Sequence, residues 1–177
     1  MKIQYKLQKM DIKTFTKVGI GQDSHRFSED GSKKRCVIGG VMFDETPSWE
    51  ADSDGDIVYH AICNAITSIT HVPILGGIAI EMCRSGITDS SQYLMRAKES
   101  LNGLKIVHVA LSIEIKRPRI QAKINEMRSN VANILEIAVD MVGITCTSGD
   151  GLTDFGKGIG GQCFCIITID IIDLFRN

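Results

Sequence analysis

The chain has 177 residues, 44% of them hydrophobic and 6% aromatic, and its 20 Lys plus Arg against 21 Asp plus Glu leave a net charge of -1. A chain of this length is most simply one domain, able to bury roughly 70% of the surface that its unfolded form exposes. Near-neutral charge without a basic block argues against nucleic acid as a partner, and no window approaches the roughly 18 to 20 apolar residues that span a bilayer, so no membrane is expected either.

The first 17 residues, MKIQYKLQKMDIKTFTK, lack the apolar stretch of roughly 7 to 15 residues that marks a secretory signal. They read as an N-terminal extension of a cytoplasmic protein, with residues 18–177 forming the single domain. Residues 18–25 and 36–43 read as two strands joined through the polar segment SEDGSKK into a hairpin. In DGDIVYHAICNAITSI, Ile57, Ala61, Ala65 and Ile69 recur every four residues, an amphipathic helix whose start is marked by Ser53 and Asp54. GGIAIEMCRSGITD has no steady period and reads as a loop. SSQYLMRAKESLNGL then places Leu94, Ala97, Leu101 and Leu104 at helical spacing, ending near Gly103. KIVHVALSIEIK alternates, with Val107, Val109, Leu111, Ile113 and Ile115 on one face and His108, Ser112, Glu114 and Lys116 on the other, the pattern of a half-buried strand. Pro118 can open a further helix whose stripe is Ile120, Ile124, Met127, Val131, Leu135 and Ala138, with Gly143 ending it. Strand, glycine-rich loop and strand complete the chain. The layout predicts an α+β two-layer sandwich, helices packed on one face of a mixed sheet.

The six cysteines, at 36, 63, 83, 146, 163 and 165, form no C-x-x-C pair and no regular framework, and read as buried free thiols. His71 and His108 have no partner in the pattern and read as surface or strand-face residues. Trp49 reads as loop packing. The cluster Gly156, Gly158, Gly160 and Gly161 reads as a tight interface turn rather than a phosphate cradle.

Chemistry concentrates in two short stretches. In GIGQDSHRF, Asp23 and His25 are separated by one residue, so an extended chain turns both to one side. In SDGDIVYH, Asp56 and His60 are one helical turn apart. Two imidazoles and a carboxylate with an open fourth position are the ligand set of a catalytic zinc site, and Asp56 could orient an imidazole from behind. Spacing alone leaves a second reading open: Asp23 capping a loop, His25 at the surface and His60 on the flank of a core helix.

The chain resembles a known family. D-S-H near the start, S-D-G-D-I-V-Y-H after it, K-R-P-R-I before a helix and T-S-G-D-G-L-T-D-F-G-K-G near the end occur in the order seen in the 2-C-methyl-D-erythritol 2,4-cyclodiphosphate synthase family, over about residues 18 to 172. The resemblance implies that Asp23, His25 and His60 are zinc ligands. Asp150 falls where a glutamate usually helps to hold a second divalent ion, Mg2+ or Mn2+, on a diphosphate. Thr147 and Ser148 match hydroxyl residues that contact phosphate, Lys116, Arg117, Pro118, Arg119 and Ile120 match the segment that holds a cytosine ring, and Ser53 lies near the substrate's 2-phosphate. The family's substrate is a cytidine diphosphate-linked small molecule, 4-diphosphocytidyl-2-C-methyl-D-erythritol 2-phosphate, and its members are homotrimers with active sites between subunits. Besides Asp150, this sequence departs from the pattern at three places. Asp52 stands beside the 2-phosphate position where a histidine is common; Gly77 stands where an aspartate often contacts substrate hydroxyls, in a shortened segment; and Lys157 replaces an interface arginine near the axis where some relatives hold an isoprenoid diphosphate. A zinc phosphohydrolase and a binding trimer that has lost catalysis are the competing expectations.

Overall fold

The computed structural model of the protein describes residues 13–29 and 34–173; the first 12 residues of the expected extension and most of the SEDGSKK turn lie outside these ranges. The longest elements are two 14-residue strands, β1 (Lys13–Arg26) at the start and a C-terminal strand (Gly160–Asp173), which pair antiparallel along their whole length, from Lys13 opposite Asp173 to Arg26 opposite Gly160. β1 thus begins at Lys13, and Lys13–Lys17 of the expected extension belong to the sheet. Lys17 also caps the first helix, its ammonium donating to the Ile69 carbonyl at 2.9 Å.

The expected hairpin between 18–25 and 36–43 does not form. Residues 36–43 are themselves a small hairpin, β2 (Cys36–Ile38) and β3 (Val41–Phe43). Gly39 and Gly40 turn it with φ of 59° and 71°, the paired positive values that a tight two-residue hairpin requires. β4 (Lys105–Ile115) lies antiparallel to the C-terminal strand, and β5 (Val142–Thr147) lies parallel to β4. Taking the C-terminal strand as β6, the mixed sheet runs β1-β6-β4-β5.

The helices are α1 (Ile57–Thr70), α2 (Ala79–Arg84), α3 (Ser90–Glu99), α4 (Ile124–Leu135) and the single turn α5 (Asp154–Lys157). α1 begins at an N-cap that is Asp56, not Ser53 or Asp54. The stretch expected to be a loop contains α2, reached through an irregular turn at Ile74–Ile78 in which Gly76 takes φ 95°; its apolar residues are too few to show a period. α4 is shorter than expected: Ile120–Lys123 form a 3-10 turn ahead of it, Glu136 ends it in the left-handed region, and Gly143 lies inside β5. In β4 a bulge between Ile106 and His108 puts Ile106 rather than Val107 in the core.

One face of the sheet carries Cys163, Cys165, Ile167 and Ile169 of β6 with Val109, Leu111, Ile113 and Ile115 of β4, all buried, together with Ile62 and Ile66 of α1 and Leu94 of α3. The thiols of Cys36 and Cys165 are pushed up to about 12 by burial and serve as small apolar groups. Two cysteines depart from the expectation of burial: Cys83 is half-buried and Cys146 exposed. Trp49 is packing, as expected, with its ring stacked on Phe27 at 4.7 Å and its indole N–H donating to the Val37 carbonyl at 2.9 Å. On the opposite face of the sheet, no helix among the described residues covers Val18, Ile20, Phe164 and Ile166, which are exposed. Among the described residues, no single helix is long and apolar enough to cross a membrane.

α1 lies directly on the backbone of β1 at Gly19 and Gly21, where the strand has no side chain to hold it off. A Cβ on Gly21 would come within 2.2 Å of the Ala61 carbonyl oxygen and the Ala65 nitrogen, and one on Gly19 within 2.4 Å of the Ala65 carbonyl oxygen. Gly21→Ala therefore has to lift the helix from the strand, and chemical denaturation is expected to show a loss of about 1–3 kcal/mol, the usual cost of overpacking. An unchanged unfolding midpoint would show that the helix–strand contact is soft.

Candidate active site

The close approach of α1 to β1 puts His60, one turn into the helix, over the end of the strand that carries Asp23 and His25. His25 Nε2 lies 3.1 Å from Asp23 Oδ2, His60 Nδ1 lies 3.2 Å from the same oxygen, and the two ring nitrogens are 3.3 Å apart. Three atoms each about 2.0–2.1 Å from a common centre at tetrahedral angles would be about 3.3–3.4 Å from one another. The triangle is therefore of a size that fits a tetrahedral cation such as zinc, with one carboxylate and two imidazoles as the donors. Asp23, His25 and His60 are brought together as expected. Burial raises the Asp23 carboxyl, but the neighbouring His25 and His60 rings outweigh it and hold the group below its ordinary value of 3.8.

Asp56 does not take the orienting role expected of it. Its carboxylate is fully buried and accepts from Gly39 N–H at 2.9 Å, Gly40 N–H at 2.7 Å, Val58 N–H at 2.9 Å and Tyr59 N–H at 3.2 Å. It caps α1 and clamps the β2–β3 turn onto it. Burial, then repulsion from Asp54, push its carboxyl up to about 6, and the backbone N–H groups pull it down. The group behind His60 is Ser90, whose Oγ lies 2.9 Å from His60 Nε2 and which itself bonds Asp54. Serine at a helix start carries no signal in sequence spacing, so this partner was not legible there.

A cavity of about 810 Å3 opens beside the triad, lined among others by His25, His60, Asp52, Ser53, Gly76 and Arg84. Asp52 and Ser53 thus line the same cavity as the triad's two histidines. The Ser53 hydroxyl oxygen accepts from Gly55 N–H at 3.1 Å, which leaves its proton to donate into the cavity. The loop is held from outside by Lys34, whose ammonium donates to the carbonyls of Ala51 at 2.8 Å, Asp52 at 3.2 Å and Ser53 at 3.3 Å. Arg84 places a cation on the cavity wall that the pattern of α2 did not announce.

The other expected site residues gather at the same end of the sheet but toward its opposite edge. Lys116, Arg117 and Arg119 follow β4 and are exposed, while Pro118 and Ile120 are buried; the Arg117 guanidinium lies over the Phe27 ring at 5.7 Å. Thr147 ends β5, and its hydroxyl accepts from Gly149 N–H at 3.2 Å. The Ser148 hydroxyl donates to Asp150 Oδ1 at 3.0 Å, and Asp150 sits at φ 47°, a conformation that aspartate tolerates better than most side chains. Lys157 is exposed in α5 and pairs with Asp154 at 3.3 Å. β1 and β5 are the two edge strands, so three strand spacings, about 14 Å, separate the Asp23 end from the Thr147 end. Within one chain the triad and the Thr147–Asp150 loop do not meet.

The profile of the YgbB family matches residues 16–170. Proteins from Chlamydia trachomatis and Chlamydia muridarum, both called 2-C-methyl-D-erythritol 2,4-cyclodiphosphate synthase, are 52% and 53% identical over 155 residues, which are 86% of this chain and 87% of theirs. Among solved structures, the bifunctional IspDF of Campylobacter jejuni superposes with a TM-score of 0.79 at 21% identity, over 93% of this chain and 44% of that one. The CDP complex of Plasmodium falciparum IspF superposes with a TM-score of 0.73 at 21% identity, over 87% of this chain and 95% of that one. At these identities the superpositions speak for the fold, and the chlamydial relatives for the chemistry. The chain belongs to the YgbB family, that of 2-C-methyl-D-erythritol 2,4-cyclodiphosphate synthase.

Proposed function

We propose that the chain converts 4-diphosphocytidyl-2-C-methyl-D-erythritol 2-phosphate to the 2,4-cyclodiphosphate and CMP in isoprenoid precursor synthesis, with zinc on Asp23, His25 and His60 and with sites completed between the subunits of a homotrimer. The observation that carries this reading is the triangle of ligand atoms of zinc size beside a cavity that contains the Ser53 hydroxyl. In the reaction an oxygen of the 2-phosphate bonds to the β-phosphorus, the bond from that phosphorus to the α-phosphate oxygen breaks, and CMP leaves with the electron pair. Nucleophile and electrophile belong to one molecule, so the protein supplies no attacking side chain; bending the substrate into line can be worth roughly 7–11 kcal/mol of barrier.

The protein's own groups do the bending. Ser53 donates to the 2-phosphate, Thr147 and Ser148 present hydroxyls to the diphosphate, and the Lys116–Ile120 segment holds the cytosine, in keeping with the CDP bound by the Plasmodium falciparum relative. Asp150 carries an exposed carboxylate suited to a hydrated Mg2+ or Mn2+ shared with phosphate oxygens. When bound, the two cations supply positive charge where the phosphates accumulate negative charge. Asp52 would repel those phosphates, and Arg84 on the same cavity wall offsets it.

Two features support the trimer. The exposed Val18, Ile20, Phe164 and Ile166 make an apolar sheet face larger than isolated surface residues would give, and a substrate gripped at both its ends needs a Thr147–Asp150 loop nearer to the triad than its own chain provides. Cytoplasmic residence belongs to the same proposal, since free thiols without a disulfide among the described residues suit a reducing compartment.

A phosphorus NMR time course with the diphosphocytidyl substrate, zinc and magnesium tests the reaction. Cyclodiphosphate and CMP are expected from the unmodified protein, and neither product, together with loss of bound zinc, from His60→Ala. Orthophosphate or a linear product would favour a phosphohydrolase, and binding without turnover a protein that has lost catalysis.

Sharing of the site is read by complementation. His60→Ala and Asp150→Ala are each expected to be inactive as pure proteins, whereas their co-expression should yield about a quarter of the sites intact if each site takes one residue from each neighbour. No recovery in the mixed protein would place both residues in one chain's site.

A further inference from the structure

We infer that Asp54 and Ser90 are positioning residues that fix the ring tautomer of His60, presenting a bare Nδ1 to the metal. The inference rests on the zinc reading of Asp23, His25 and His60 and adds two residues to it. Ser90, the first residue of α3, is fully buried; its hydroxyl donates to Asp54 Oδ1 and its backbone N–H donates to Asp54 Oδ2 at 3.1 Å. A serine hydroxyl has one proton. With that proton given to Asp54, Ser90 Oγ can only accept from the ring, so the His60 Nε2 that lies 2.9 Å away must carry the hydrogen. A neutral imidazole has a single N–H, which leaves Nδ1 as a lone pair, and Nδ1 is the atom that faces Asp23 Oδ2 at 3.2 Å and His25 Nε2 at 3.3 Å.

Without the relay, the other tautomer would aim an N–H from Nδ1 at the Asp23 carboxylate. That hydrogen bond would close the triangle on itself and compete with a cation for the same oxygen. The relay is built to persist. Asp54 N–H donates to the Thr88 carbonyl at 2.9 Å, and Asp54 Oδ1 also accepts the Asp56 N–H at 3.1 Å, so the loop ahead of α1 and the start of α3 are tied together at this carboxylate. Partners of this kind behind a metal-binding histidine typically change affinity by about 10–100-fold when removed.

The test uses the full-length protein, metal-free and zinc-loaded. Two-bond nitrogen–proton correlation spectra of the unmodified protein are expected to show the His60 proton on Nε2 in both states, which needs no variant and does not depend on activity. In metal-free Ser90→Ala the same signal is expected to become a mixture of tautomers. Zinc affinity of this variant, measured by competition with a chromophoric chelator, should fall about 10–100-fold, with the substrate KM unchanged once zinc is saturating. A His60 proton on Nδ1 in the unmodified metal-free protein, or a Ser90→Ala variant that binds zinc as tightly as the parent, would overturn the inference. Failure of zinc to bind either protein would instead overturn the metal reading beneath it, whatever tautomer the spectra show.

Discussion

At Gly19 and Gly21, β1 puts no side chain between itself and α1. Gly19 and Gly21 bring the strand backbone against the Ala61–Ala65 turn of the helix, where even one methyl group would meet backbone atoms within 2.2–2.4 Å. That contact sets the reach of His60. The ring belongs to the helix, Asp23 and His25 to the strand, and the three ligand atoms come to 3.1–3.3 Å of one another only because the two elements are this close. The Asn64 amide, which donates to the Gln22 carbonyl at 2.9 Å, fixes the helix lengthwise on the strand, so that spacing and register are both determined one turn away from the triad.

The two aspartates of S-D-G-D divide the remaining work of placing that helix. Asp56 satisfies the first free N–H groups of α1 and draws in Gly39 and Gly40 from the β2–β3 turn, a structural task that needs a buried acceptor. Asp54, two residues earlier, reaches the start of α3 instead. A motif dense in carboxylates can thus build the surroundings of the triad without adding a carboxylate to it: one aspartate holds the helix and the other holds the group behind His60.

The parts of the fold written in local period were legible in the sequence, and those written in pairing were not. Alternation in β4 and helical spacing in α1, α3 and α4 are properties of single segments, and each element appears within its pattern, although α3 stops at Glu99, short of Leu101 and Leu104, and α4 keeps only Ile124–Leu135. Which strand joins β1 is a property of two distant segments: Cys36–Phe43 is next in sequence, but only β6 matches the length of β1, and the Gly39–Gly40 turn folds Cys36–Phe43 back on itself. The bulge at Ile106–His108 similarly shifts one apolar residue out of an otherwise regular pattern. At the site, Asp23, His25 and His60 could be named from residue type and spacing with the help of a family resemblance. Ser90 could not, because a hydroxyl that acts through another side chain has no preferred distance in sequence from it.

The sheet order carries the argument beyond one chain. β1 and β5 end at the same side of the sheet, yet they are its two edges, so the cation site and the Thr147–Asp150 loop occupy opposite flanks of one molecule. A chain with two complementary half-sites on opposite flanks satisfies both by head-to-tail contact, which a closed ring completes for every copy because each flank meets the other flank of a neighbour. The uncovered sheet face lies between those flanks, with Ile20 of β1 paired to Ile166 of β6. An apolar surface in that position would turn to the centre of such a ring, where burying it would stabilise the arrangement that completes the sites. In the proposed ring, the residues that give up stability in the monomer, by exposing apolar side chains on a bare sheet, would be the ones that make catalysis depend on assembly.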